Sequence, residues 1–135
     1  MRRRPGRPRR LAAPAAALLA ALLLAGCAAN PADPTAPKAV RDHAMKAYAV
    51  HEECLRIAVG ERLEYYFMST QPVDFNLHYH EGRAVAMPVV RERSREDSGV
   101  FVANIAQDYC LMWEAGPAGA VLDYRFRLRL PTARQ

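Results

Sequence analysis

Little in this 135-residue chain belongs to the usual vocabulary of catalysis. It has no Gly-rich phosphate loop, no Gly-x-Ser-x-Gly elbow and no His-Glu-x-x-His pair. Those absences remove the common phosphate-binding, serine-hydrolase and zinc-peptidase arrangements. Cysteine occurs three times and never as Cys-x-x-Cys, which argues against a thioredoxin-type redox motif. No internal repeat recurs at a period of 20–50 residues, and no second apolar span follows the first 26 residues. Ser69, Ser94 and Ser98 sit in turn-like contexts without a partner base. Glu52 and Glu53 are adjacent, so on a strand their carboxylates diverge and make a poor acid–base dyad. An enzyme is not expected.

Acidic residues are missing from the start of the chain. Six of the 19 Lys+Arg precede Cys27, and none of the 14 Asp+Glu do. The remainder carries 13 basic against 14 acidic residues, a net of −1, so the whole-chain charge of +5 gives no reason to expect nucleic-acid binding. After the arginines comes an apolar run, Leu11 to Ala25, of 15 residues. As a helix it would span ~22 Å, short of the ~30 Å hydrocarbon core, and it therefore reads as a cleaved signal.

The run ends in Leu24-Ala25-Gly26-Cys27. This resembles the lipobox of bacterial lipoproteins. The resemblance implies cleavage before Cys27, lipid on Cys27, and a membrane anchor in the cell envelope. Ala28, rather than Asp, implies sorting to the periplasmic face of the outer membrane. The alternative is an ordinary signal peptide with an incidental cysteine. Residues 28–37, with three prolines and no large apolar side chain, read as an extended tether. The expected organisation is thus a signal peptide over 1–26, a lipidated Cys and tether over 27–37, and one domain over 38–135.

From residue 62 the periodicity is mostly two. Leu63, Tyr65 and Phe67 alternate with polar positions, as do Phe75, Leu77 and Tyr79, and then Leu122, Tyr124, Phe126, Leu128 and Leu130. Val85–Val90 and Val100–Ile105 are further strand candidates. Gln71-Pro72, Glu81-Gly82, Ser98-Gly99 and Gly116-Pro117 read as turns. Arg91, Arg93 and Arg95, mixed with Glu92, Glu96 and Asp97, read as a solvated hairpin loop. The expected class is all-β, a small antiparallel β-sandwich of GOLD-like or jelly-roll-like form. Residues 38–59 fit either a helix, through Val40, Ala44, Tyr48, His51, Leu55 and Val59, or a strand.

If Cys27 carries lipid, Cys54 and Cys110 remain. Outside the cytoplasm such a pair is expected to be oxidised, with free thiols or a redox pair as the alternatives. By parity Cys110 and Met112 point opposite to Tyr109, Leu111 and Trp113. A bridge would then lie on the outer face, with the Cys54 segment packed across that side.

Glu53-Cys54-Leu55, Gly60, Leu63 to Phe67, Val73 to Leu77, Ser98 to Phe101 and Asp108 to Trp113 occur in an order that resembles the GOLD (Golgi dynamics) domain. That resemblance covers residues 50 to 130. It implies a protein- or lipid-binding sandwich, a disulfide between an early cysteine and one in the later strand, and a strand rather than a helix before residue 59. Glu114-Ala115-Gly116 departs from the family, which has an Asn soon after the aromatic residue.

Two constellations invite a ligand. His78 and His80 share one face of a strand, joined by Asp74 and Asn76, with Glu81 at the turn. Imidazoles at this spacing with a carboxylate can ligate Zn²⁺ or Cu²⁺. The alternative is a solvated face that happens to hold histidines. His51, Glu52 and Glu53 are further donors, with nothing in the sequence to bring them close. Arg125, Arg127 and Arg129 form a basic stripe suited to an anionic surface, or else protect an edge strand. The expected function is non-enzymatic binding or scaffolding in the envelope, with a protein partner or the membrane. The runner-up is metal binding through His78 and His80.

Overall fold

The computed structural model describes Asp33 and residues 35–131. The expected signal peptide, Cys27 and six of the ten residues of the expected tether lie outside the described residues. Those described form six strands and no helix: β1 (Lys38–Met45), β2 (Val50–Ile57), β3 (Arg62–Glu81), β4 (Ala84–Val102), β5 (Gln107–Ala115) and β6 (Ala120–Arg129). All pairings are antiparallel, in the order β1-β6-β3-β5-β2, with β4 beside β3.

β3 and β4 are long because each serves both halves of a curled sheet. Residues 62–69 of β3 pair with β6, and residues 73–79 pair with β5. The register shifts between Met68 and Val73, around Gln71-Pro72. This dipeptide has the composition of a turn, yet here it bends one continuous strand. Proline lacks an N–H, and a broken ladder is where a strand tolerates that loss. Strands that change sheets at such bends form the corners of a sandwich. The two inner faces meet around Trp113, whose ring centroid lies 4.7 Å from that of Tyr124 and 6.2 Å from that of Phe67.

β4 corrects a second expectation. Arg91 to Asp97 is no hairpin loop; the two apolar candidates are one strand. Arg93 takes φ +49° and donates its N–H to Asp74 Oδ1 at 2.7 Å, so the chain bends and continues. Ser98-Gly99 is likewise inside β4. A Cβ at residue 99 would sit 2.6 Å from the Tyr65 hydroxyl oxygen, so glycine is needed there for close approach. Glu81-Gly82 does turn the chain, with Gly82 at φ +63° between β3 and β4.

Residues 38–57 are two strands separated by Lys46–Ala49. β1 breaks its own period of two. The register shifts between Val40 and His43, Asp42 takes φ +55°, and its N–H is held by Asp123 Oδ1 at 2.7 Å. The extra residue moves the protected positions to Val40, His43 and Met45, while Ala44 and Tyr48 of the helical set are exposed.

The core matches the alternation. Leu63, Phe67, Phe75, Leu77, Leu111 and Trp113 are almost fully buried. Each such side chain contributes roughly 1.5–3 kcal/mol relative to exposure. Leu130, placed by periodicity on the inner row, is exposed because β6 ends at Arg129.

Candidate functional site

β2 presents two different faces because strand side chains alternate. His51, Glu53, Leu55 and Ile57 point into the sandwich, and Glu52, Cys54 and Arg56 point out. β2 pairs with β5, and β5 pairs with β3, so Cys54, Cys110 and His78 stand in one row across three strands. Cys54 and Cys110 are joined by a disulfide, with Cα atoms 4.0 Å apart. The bridge is on the outer face, where parity puts it. The Cys54 strand, however, lies beside β5 in the same sheet instead of packing across it. Parity fixes a face but not a neighbour.

His78 is buried on this outer face. Its Nδ1 lies 2.8 Å from Asn76 Oδ1 and its Nε2 lies 3.1 Å from Glu52 Oε1. An N–H at Nδ1 donates to Asn76 Oδ1, and one at Nε2 donates to the Glu52 carboxylate. Donor atoms of Glu52, His78 and Cys110 all lie within 4.8 Å of one another. His80 is exposed, with its ring centroid 5.2 Å from that of His78.

The other two residues of the anticipated metal set stand elsewhere. Asp74 is occupied with the Arg93 N–H. Glu81 pairs with Ala84 at the hairpin. The carboxylate that does reach His78 is Glu52, from a strand 26 residues away in sequence. Its only signal was parity with Cys54, and β5 as the intervening strand was not legible.

The arginine stripe lies on the other half of the sandwich. β6 pairs with β1 on one side and β3 on the other, so it is an inner strand rather than an edge. Arg127 donates to Glu64 at 2.5 Å, and Arg129 approaches the same carboxylate at 3.4 Å. The Arg127 hydrogen bond chiefly holds Glu64 below its usual carboxylate range. Arg125 lies over the Tyr66 ring, 4.8 Å from its centroid. Glu64, Tyr66, Ser98, Arg125 and Arg127 line a cavity of about 490 Å³, on the sheet half away from His78.

A third cluster closes the sandwich between β1 and β2. Lys38 Nζ donates to Glu53 at 2.6 Å, and the Tyr124 hydroxyl donates to the other oxygen of Glu53 at 2.5 Å. His51 Nε2 lies 2.8 Å from that hydroxyl, and the His43 ring centroid lies 4.0 Å from that of His51 with the rings tilted by 39°. Burial, and then the neighbouring His43, lower the pKa of His51. Burial would raise that of Glu53, but the hydrogen bonds from Lys38 and Tyr124 outweigh it and the net shift is downward. Burial and Glu53 push the Tyr124 phenol up. This network ties β1 to β2, which do not pair directly.

The fold and these clusters define a class: a small all-β sandwich carrying a disulfide and a histidine–carboxylate pair on one outer face. No family model matches the sequence, and no curated protein matches it. Among solved structures, the chain is similar to PliG from Aeromonas hydrophila, a periplasmic lysozyme inhibitor of g-type lysozyme. The likeness has a TM-score of 0.56 at 8% identity, and covers 74% of this chain and 92% of that one. At this identity it speaks for the shared all-β architecture.

Proposed function

We propose that this chain is a lipid-anchored protein of the cell envelope that binds a protein partner and catalyses no reaction. The observation that carries the reading is the likeness in fold, over most of both chains, to a periplasmic inhibitor of g-type lysozyme. The lipobox-like Leu24-Ala25-Gly26-Cys27 supports anchoring, and Ala28 supports the outer membrane. The GOLD-like order of residues supports a binding sandwich. β4 offers a surface: among the described residues it pairs only with β3, and Val85, Met87 and Val90 are exposed along it.

The test uses the chain from residue 27 onward with Cys27→Ser, which retains every described strand. Mixed with a g-type lysozyme, it is expected to form a one-to-one complex by size-exclusion chromatography and to slow peptidoglycan cleavage. Undiminished cleavage at tenfold excess, with no complex, would remove lysozyme as the partner. Separately, Cys27→Ala in the full chain is expected to move the protein from membrane to soluble fractions; unchanged fractionation would sink the anchor.

The 3.1 Å approach of His78 to Glu52, beside His80, favours metal binding as a second reading. Calorimetric titration of the oxidised protein with Zn²⁺ and Cu²⁺, against His78→Ala/His80→Ala, tests it. Identical titrations of the two proteins would dispose of it.

A further inference from the structure

We infer that reduction of the Cys54–Cys110 disulfide turns the outer face of β2, β5 and β3 into a four-ligand site for a thiophilic d¹⁰ cation such as Zn²⁺. The ligands are Cys54 Sγ, Cys110 Sγ, His78 Nε2 and the Glu52 carboxylate. This extends the metal reading to a different ligand set and redox state, and is independent of the protein-binding proposal.

The juxtaposition is set by strand register. Cys54 is opposite Cys110, and Cys110 is opposite His78. Glu52 lies two residues along β2, on the same face, and its Oε1 is 3.1 Å from His78 Nε2. The donor atoms of Glu52, His78 and Cys110 already fall within 4.8 Å of one another, and Cys54 Sγ is bonded to Cys110 Sγ. A tetrahedral zinc site with Zn–S bonds of ~2.3 Å needs its two sulfurs ~3.8 Å apart. Cys54 is exposed, so its thiolate can swing outward about χ1 to reach that separation.

The imidazole is prepared for the role. Asn76 Oδ1 lies 2.8 Å from Nδ1 and accepts its N–H when a cation takes Nε2, which leaves Nε2 as the ligating nitrogen. A partner on the second ring nitrogen is the usual companion of a metal-bound histidine. Two thiolates, one imidazole and one carboxylate match the borderline-soft preference of zinc.

The step balances with a dithiol reductant. A thiolate of the dithiol attacks exposed Cys54 Sγ, and Cys110 leaves as thiolate. The second thiol of the reductant then releases Cys54 and closes the reductant's own disulfide. Zn²⁺ binding then displaces the protons from the two cysteine thiols. Exchange with a disulfide oxidant reverses the step: Cys54 and Cys110 lose two electrons and form the bridge, the oxidant's two sulfurs leave as thiols, and the ion is released. In an oxidising compartment the bridged form is the resting one.

The test takes the chain from residue 27 onward with Cys27→Ser, so that only two cysteines remain. Zinc binding is measured by competition with a chromophoric chelator, before and after reduction with a phosphine. Co²⁺ substitution reports thiolate ligation through its charge-transfer band, and far-UV circular dichroism follows the fold. One zinc per chain is expected after reduction, with thiolate-to-cobalt charge transfer. In the oxidised protein binding is expected to be weaker by at least a hundredfold. His78→Ala and Glu52→Gln should each weaken reduced-state binding on the order of tenfold or more, and Cys54→Ser/Cys110→Ser should abolish it.

Equal affinity in both redox states would overturn the inference and leave binding to the histidines alone. Full reduced-state affinity in both His78→Ala and Glu52→Gln would also overturn it, as would a reduced chain that takes up no zinc. If reduction unfolds the domain, recovery of the strand spectrum on adding zinc supports the site, and failure to recover refutes it.

Discussion

The strand that carries Cys54 is held on one side only, and this makes the disulfide's contribution measurable. β2 ends the sheet path, and its one ladder is to β5, from Val50↔Glu114 to Ile57↔Gln107. The bridge joins residues 56 apart in sequence. In the chain-entropy account, closing a loop of that size constrains the unfolded ensemble by about 4 kcal/mol. For a domain of this size each kcal/mol moves Tm by ~4–8 °C, so replacing both cysteines should lower it on the order of 20 °C. Cys54→Ala/Cys110→Ala is the appropriate pair, because it leaves no lone thiol. Thermal unfolding by circular dichroism gives the shift, and hydrogen exchange locates it. Amides of β2 should lose protection first, while β3, paired on both sides, keeps its own. A Tm within about 5 °C of the parent would refute the reasoning. It would mean that the reduced unfolded chain already holds these segments close, or that ladder and core suffice without the bridge.

The seam between β1 and β2 predicts acid sensitivity. Folding lowers the pKa of His51 below its ordinary value of 6.5, so the unfolded chain takes up that proton first, and stability falls as pH drops through 6.5 toward the folded value. Glu53 lies below 4.5 when folded, so its contribution is present above 4.5 and is lost on further acidification. Tm should therefore fall as pH drops below neutral and fall again below 4.5, and His51→Gln should flatten the upper part of the fall; a Tm that rises between about pH 7 and 5.5 would contradict the His51 shift. Gly99→Val forces a side chain against the Tyr65 ring and should destabilise by roughly 1–3 kcal/mol, read as a lower midpoint in urea with an unchanged slope. An unchanged midpoint would show that Tyr65 swings aside without loss.

Much of the fold is legible because alternation reports burial directly. Leu63, Phe67, Phe75, Leu77, Leu122 and Leu128 announce their inward faces, and they are buried. Breaks in the ladder are harder to read. Gln71-Pro72 and Ser98-Gly99 look like turns because proline and glycine punctuate turns, yet one bends a strand and the other admits a tyrosine ring. The bulge at Asp42 adds a residue to β1 and so breaks the period of two that would have marked it as a strand. The site was legible only in part for a related reason. His78 and His80 share a strand, so their proximity follows from period two. Glu52 reaches His78 only because β5 lies between β2 and β3, and neighbour order is a property of the whole topology. Asp74, a plausible ligand by parity, is spent on the backbone of Arg93, a demand visible only once β4 is seen to bend.

The pairing scheme has a consequence for the order of events in the cell. β1 pairs with β6 and β2 with β5, nested around the β3–β4 hairpin like brackets. The two strands synthesised first must wait for the two synthesised last. Such non-local closure is slow, and the waiting segments stay sticky meanwhile. The central hairpin is the one long pairing available early, so assembly proceeds from the middle outward. β2 and the Cys54 thiol find their partners once β5 has emerged, and β1 docks last. A ribosome-stalled or truncated chain lacking β6 would thus leave β1 without its partner and the β1–β2 seam without Tyr124, and should be the species that chaperones and proteases of its compartment recognise.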